Sequence, residues 1–411
     1  MMKKIYSLLI AVTTILSFSS CESWINDAVT SPNVISEGDM NKPEYFGTND
    51  NGTFVFGPNI SSILNKAIDL YSPLYMYVGA MSDEISAPSS PNSLIYRDLS
   101  QDNLNVHDGS LRGIWTSAQS LYSMSNLMLG YANQTDWSSS DEMVKNNAFW
   151  YCNFYKGMAL YNLAAYFNAE VDKTKAPYIY MSGEKVANSA IYQQAIDALK
   201  ASLKYADATQ KRISNTALVR VMVMSGLKDG VAIYADNMMI ANDLDITVSH
   251  ELQDNTFFSA MGENSRDAMV NQTFVDALAS LAETNHNPTA INTANGAIIQ
   301  TRFGQYSPQV IVSYVEAEML RAELILDGEI SGDFTETLNR VNRYYDKTGA
   351  SEVTSVSMTK ENLIHYRRVF LSWYGQRMLD ERRFQLSGEG EMNFQDRVWQ
   401  YIAIDDIEYA N

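Results

Sequence analysis

Residues 366–384 read YRRVFLSWYGQRMLDERRF, and this stretch decides how the rest of the chain is understood. Val369, Trp373 and Leu379, flanked by Leu371 and Met378, recur at roughly helical spacing, and Arg367, Arg368, Arg377, Arg382 and Arg383 supply most of the polar remainder. The spacing predicts one long amphipathic helix over 366–384. Five arginines in a chain of net charge −18 require acidic groups from elsewhere to fold back on them, because a guanidinium fork pairs well with carboxylates. The helix is therefore expected to be wedged among others.

With 411 residues, 46% hydrophobic and 19% charged, the chain is long enough for a large core and has a globular composition. Only 9 prolines and 21 glycines argue against a loop-dominated all-β design. The 48 acids against 30 bases exclude a nucleic-acid partner, whose phosphates need a basic surface. Two cysteines, Cys21 and Cys152, make no disulfide framework. Cys152 lies in an aromatic, helical run and is expected to be buried and inert.

Lys3 and Lys4, an apolar run from Ile5 through Leu16, and Ser19-Ser20 before Cys21 read as a signal peptide. A cysteine directly after small residues resembles a bacterial lipobox, which implies lipidation of Cys21 and attachment of the mature chain to a membrane. From Glu22 to about Pro58 the composition suits an extended tether. Helices are then predicted over 59–77, 110–131 and 143–168, on an apolar stripe from Ile191 to Ala206, and over 215–225, 231–241 and 309–326, followed by a helix carrying Leu338, Val341 and Asn342. Two stretches break the pattern, Val78–Gly109 and Asp243–Pro308, the second with only 273–283 helical. Loops of this length are uncommon unless functional. The paired helices look like tetratricopeptide repeats without a strict period, so the expected fold is all-α: a single helical-repeat domain over 59–411 with two loop insertions.

The closing stretch resembles that of the SusD/RagB family of nutrient-binding outer-membrane lipoproteins, whose pattern runs roughly E-R-R-x-E-L-x-x-E-G-x-R-x-x-D-L-R-R-W. Arg367, Arg368, Leu371, Gly375, Arg377, Asp380, Arg382 and Arg383 stand in register with it, while Tyr366, Phe370 and Tyr374 replace its three glutamates and Phe384 its tryptophan. The run FYKGMALYNLAAYFN from Phe154 resembles the family's F-L-R-A…L-x-x-x-F-G. Val315-Glu316, Leu320 and Ala322-Glu323 resemble A-E-x-x-x-L-x-A-E, and Ile114, Trp115, Leu121, Tyr122 and Asn126 resemble its W-x-x-x-Y-x-x-I-x-x-A-N helix. Glu316 and Glu323, seven positions apart, share a helix face suited to the closing arginines. The resemblance implies a lipid-anchored, surface-exposed protein of the outer membrane that captures an oligosaccharide nutrient and delivers it to a SusC-like TonB-dependent transporter.

No catalytic constellation stands out, no cofactor is expected and no metal site is expected. His107, His250, His286 and His365 are far apart and lack ligand spacing, and no phosphate-cradling loop or nucleophile elbow is present. The aromatic content of 11% suits rings that stack on sugars, with Asn, Asp and Arg bonding hydroxyls, although most such rings belong to the core. The loop candidates for ligand contact are Asp83, Asn92, Tyr96, Arg97 and Asn103 in the first excursion, Trp137 in a polar turn, and Phe303 and Tyr306 in the second. The same scaffold could hold peptides or another polymer, and an all-α glycosidase or a helical adaptor are further alternatives.

Overall fold

The computed structural model of the chain describes residues 40–88, 93–250, 254–262, 267–280, 291–294, 297–300, 302–346, 352–390 and 392–404. Its frame is helical. A short α1 (Pro43–Phe46) and a hairpin of β1 (Gly47–Asp50) and β2 (Thr53–Phe56) precede α2 (Pro58–Met81). The strand β3 (Ile85–Ser86) and the short α3 (Leu94–Ser100) follow. Then come α4 (Gly109–Gln134), α5 (Glu142–Tyr166), β4 (Phe167–Asn168), the hairpin β5–β6 (Tyr178–Met181, Glu184–Ala187), α6 (Asn188–Ser202), α7 (Ala208–Ser225) and α8 (Val231–Ala235). Side-chain caps start several of these helices: Asp108 accepts from Ser110 N, Asp141 from Met143 N, and Asp207 forms a reciprocal box with Gln210. The central α5 is buried on nearly every side from Phe149 to Tyr166, as a helix apolar all round must be.

The stretch expected to be tether as far as about Pro58 is folded over its last part. Residues 43–56 fold, with Asn51 (φ 52°) and Gly52 (φ 87°) supplying the positive-φ pair of a tight hairpin turn, and Asn49 Nδ2 donates to Asp141 at 2.7 Å. The predicted helix 309–326 is also corrected. The β-branched run Val310–Val312 lies in β11 (Gln309–Val312), paired antiparallel with β7 (Ile246–Val248), and α11 (Tyr314–Leu326) begins only after the Ser313 cap.

Nor are the excursions structureless. The second contains β7, α9 (Thr256–Met261), β8 (Met269–Val270), α10 (Gln272–Ser280) and the hairpin β9–β10 (Ile291–Ala294, Ala297–Gln300). The first joins it directly, because β3 pairs with β8 and Glu84 O accepts from Asn271 N.

After α12 (Phe334–Tyr345), the single closing helix expected over 366–384 is two helices, α13 (Lys360–Phe370) and α14 (Arg377–Arg383), with a reversal between them. Trp373 (φ 60°) and Gly375 (φ 73°) both take left-handed backbone there. Three contacts hold the reversal. Glu84 Oε1 accepts from Trp373 N at 3.1 Å, Tyr166 Oη donates to Gly375 O at 3.3 Å, and the Trp373 ring is wedged against Phe257, Phe274 and Phe303. A Cβ on Gly375 would stand 2.5 Å from the Tyr75 ring. The strand β12 (Ile402–Ala403) finally pairs with β4.

Candidate functional site

The acids called by the closing arginines are present, and they consume several candidate residues. Asp83 is buried and accepts from Arg377 Nε at 2.8 Å and Arg377 Nη2 at 2.7 Å, with Arg368 3.2 Å away. Burial alone would raise its carboxyl, but the two guanidinium groups outweigh that and hold it below the ordinary carboxylate range. Arg367 and Arg383 share Asp380 and Glu323, whereas Glu316 turns instead to the buried Arg220 of α7. Asp83 is thus a keystone of the frame and not a ligand contact.

Six other candidates lie among the described residues. Tyr96 is buried edge-on against Tyr77 at 5.9 Å between ring centroids. Phe303 is buried against Phe257 at 5.0 Å. Trp137 is half-buried between Phe46 and Phe149, and its indole N–H donates to Ala132 O at 2.9 Å. These three rings all pack on core partners. Arg97 is half-buried on α3, and Asn103 is exposed with its amide 3.4 Å from Asp98. Among the described candidates, only the Tyr306 ring, just ahead of β11, is exposed. Asn92 and Cys21 lie outside the described residues, and none of the described candidates lines the clefts discussed below.

A better-built site lies where the N-terminal hairpin, α2, α5 and β7 meet, around a cleft of about 340 Å³. One wall is aromatic. Phe56, nearly half exposed, stands edge-on to the half-buried Tyr151 at 5.2 Å, while Tyr155, 7° from parallel with Tyr151, is buried, and Phe54 backs Tyr151 from outside the lining at 22°. Tyr151 and Tyr155 share this wall because residues four apart on a helix lie one above the other.

The other walls are polar. Ser61 and Asn65 come from successive turns of α2 and share a face, and Thr247 of β7 and Ser249 just past its end line the cleft as well. Among the described residues, these four side chains have no hydrogen-bond partner in the protein. Burial raises the Tyr151 phenol, with Asp207 adding to it, so the ring stays a neutral donor at ordinary pH.

An aromatic wall beside neutral donors and acceptors suits a pyranose ring, which has both an apolar face and a rim of hydroxyls. Charge is absent from the lining, and so is any ready acid–base pair. Among the described residues no group of three His, Cys, Asp or Glu could hold a metal ion. His250 is buried in the described structure, and desolvation lowers its pKa. The sequence reading missed Phe56 and Tyr151 because it placed the first in a tether and the second inside the helix 143–168. The Asn51-Gly52 turn signal was the available clue.

No family model matches the chain, and no curated protein matches it significantly. Solved structures do match. A SusD superfamily protein from Bacteroides vulgatus shares 12% identity over 83% of this chain and 92% of its own, with a TM-score of 0.63. Surface glycan-binding protein A from Bacteroides fluxus shares 13% over 86% and 92%, with a TM-score of 0.62. Surface glycan-binding protein A from Bacteroides thetaiotaomicron, solved in complex with laminarihexaose, shares 13% over 80% and 89%, with a TM-score of 0.58. The chain therefore has the SusD-like fold, a helical-repeat scaffold that carries long connecting segments.

Proposed function

We propose that this protein binds an oligosaccharide without cleaving it, in the cleft between Phe56, Tyr151, the Ser61–Asn65 face of α2 and the Thr247–Ser249 edge of β7. The observation that carries the reading is the exposed Phe56 ring beside the half-buried Tyr151, in one cleft with four polar side chains that no other part of the described protein engages. The names of two structural neighbours, glycan-binding proteins of the same fold, support it. The signal-like start and Cys21 support a lipid anchor in the outer membrane, at the cell surface. The SusD-like fold supports delivery of the ligand to a SusC-like TonB-dependent transporter.

A glycan array probed with the soluble chain tests the binding step. Phe56→Ala is expected to weaken retention of the recognised glycan at least tenfold, about 1.4 kcal/mol, with the unfolding midpoint unchanged. Undiminished retention by that variant would remove the cleft from the reading, and new reducing ends on incubation would remove the non-catalytic assignment.

A further inference from the structure

A second pair of adjoining clefts, of about 190 and 230 Å³, opens on another side of the closing segment, and Arg382 and Tyr401 line both. Their walls are firmly built. Asn168 Oδ1 accepts from Glu170 N at 2.9 Å and Tyr178 N at 3.0 Å, while Asp102 accepts from Val398 N and from Trp399 N at 3.2 Å. Burial lowers the pKa of the Arg397 guanidinium, and the nearby Asp102 and Glu381 charges offset only part of that.

Inside, the basic groups outnumber the one lining acid, Glu170. Arg367, Arg368, Arg377 and Arg383 each meet a carboxylate. Arg382 instead donates to two backbone carbonyls, Ala165 O at 2.7 Å and Gln400 O at 2.9 Å. Lys173 likewise donates to Gln395 O at 2.6 Å and Arg397 O at 3.3 Å. Among the described residues, no carboxylate pairs with either cation. Lys175 also lines the smaller cleft, but it is neutralised by Glu170 at 3.7 Å and Asp172 at 3.6 Å. Carbonyl contacts orient a cation without cancelling its charge, and they leave further N–H donors on the guanidinium. Beside them, the half-buried Trp399 ring stacks on no other ring among the described residues, and the Arg382 guanidinium lies 3.7 Å over the Tyr401 ring.

We propose that this cleft binds a carboxylate-bearing sugar, a uronic acid unit of an acidic oligosaccharide. Its carboxylate meets Lys173 and Arg382, and its ring face meets Trp399. A uronate carries charge and apolar face on the same ring, which matches two unpaired cations and an open indole in one small space. The sugar part of this assignment rests on the glycan-binding function proposed above; the charge part does not.

The test is calorimetric titration of the soluble chain with trigalacturonate, with its trimethyl ester and, in parallel, with neutral laminarihexaose. The acid is expected to bind at least tenfold tighter than its ester at low salt. That preference should shrink at high salt, through screening, and should be lost in both Lys173→Gln and Arg382→Gln. Because the acid and ester are compared on the unaltered protein, a folding defect in a variant cannot produce the result. Equal binding of acid and ester, or a preference that survives both substitutions, overturns the proposal. Binding of laminarihexaose with no preference for the acid sinks this inference and leaves the neutral-glycan reading standing, whereas failure of all three sugars to bind counts against both.

Discussion

Glu84 sits within hydrogen-bond reach of the Trp373 N–H, yet its second carboxyl oxygen has no partner, and burial raises its pKa to about 8 from an ordinary 4.5. Between those values the unfolded chain binds fewer protons than the folded one. The stability contributed by the protonated form is complete below about pH 4.5 and is lost as pH rises through about 8. Glu84→Gln is therefore expected to raise the denaturant midpoint more at pH 8 than at pH 4.5, by on the order of a few kcal/mol. Equal effects at the two pH values would contradict the assignment. Its neighbour Asp83 behaves in the opposite sense, since Arg377→Ala would strand a buried carboxylate at a cost of about 3–5 kcal/mol, read as a lower unfolding midpoint at pH 7. That the arginines of residues 366–384 need acids was legible in the sequence. Which acids was not, because Asp83 and Arg377 are brought together only by the tertiary fold.

Two glycines govern the elements that shape the molecule. A Cβ on Gly57 would lie 2.4 Å from Tyr45 O and 2.7 Å from the Phe46 carbonyl carbon, so Gly57→Ala must shift backbone where the hairpin enters α2. The expected result is faster amide exchange across 47–56 and weaker glycan binding, with a stability loss of about 1–3 kcal/mol. Unchanged exchange there would show that the hairpin is not held by this contact. Gly375→Ala faces both left-handed backbone and the Tyr75 ring, and a global loss of about 2 kcal/mol or more is expected in denaturant unfolding. Helical periodicity predicted the repeat helices well, because α2, α4, α5 and α6 each bury apolar residues at helical spacing. It failed at 366–384, where a tertiary contact from Glu84 and the Tyr75 ring favour a reversal that local spacing does not encode. It failed also at 309–312, where β-branched residues found a strand partner far away in sequence.

At the scale of the whole molecule, net charge −18 is compatible with a compact frame because carboxylates and guanidinium groups meet inside it, as Asp83, Asp380 and Glu323 do with the closing arginines. The expected all-α helical-repeat scaffold is the one observed, but the sequence-level site was drawn from loop aromatics that the fold uses as core. Loop position is a poor guide to exposure when two excursions zip together through β3 and β8 and bury Tyr96, Phe257 and Phe303 beneath them. The rings left open belong to elements read as tether and helix. The most direct test of the central claim is a glycan array probed side by side with the wild-type chain and Phe56→Ala, both checked for equal thermal unfolding. The account predicts that at least one oligosaccharide class held by the wild type is lost from the variant. Identical signals from the two proteins, or no glycan held by the wild type, would contradict it.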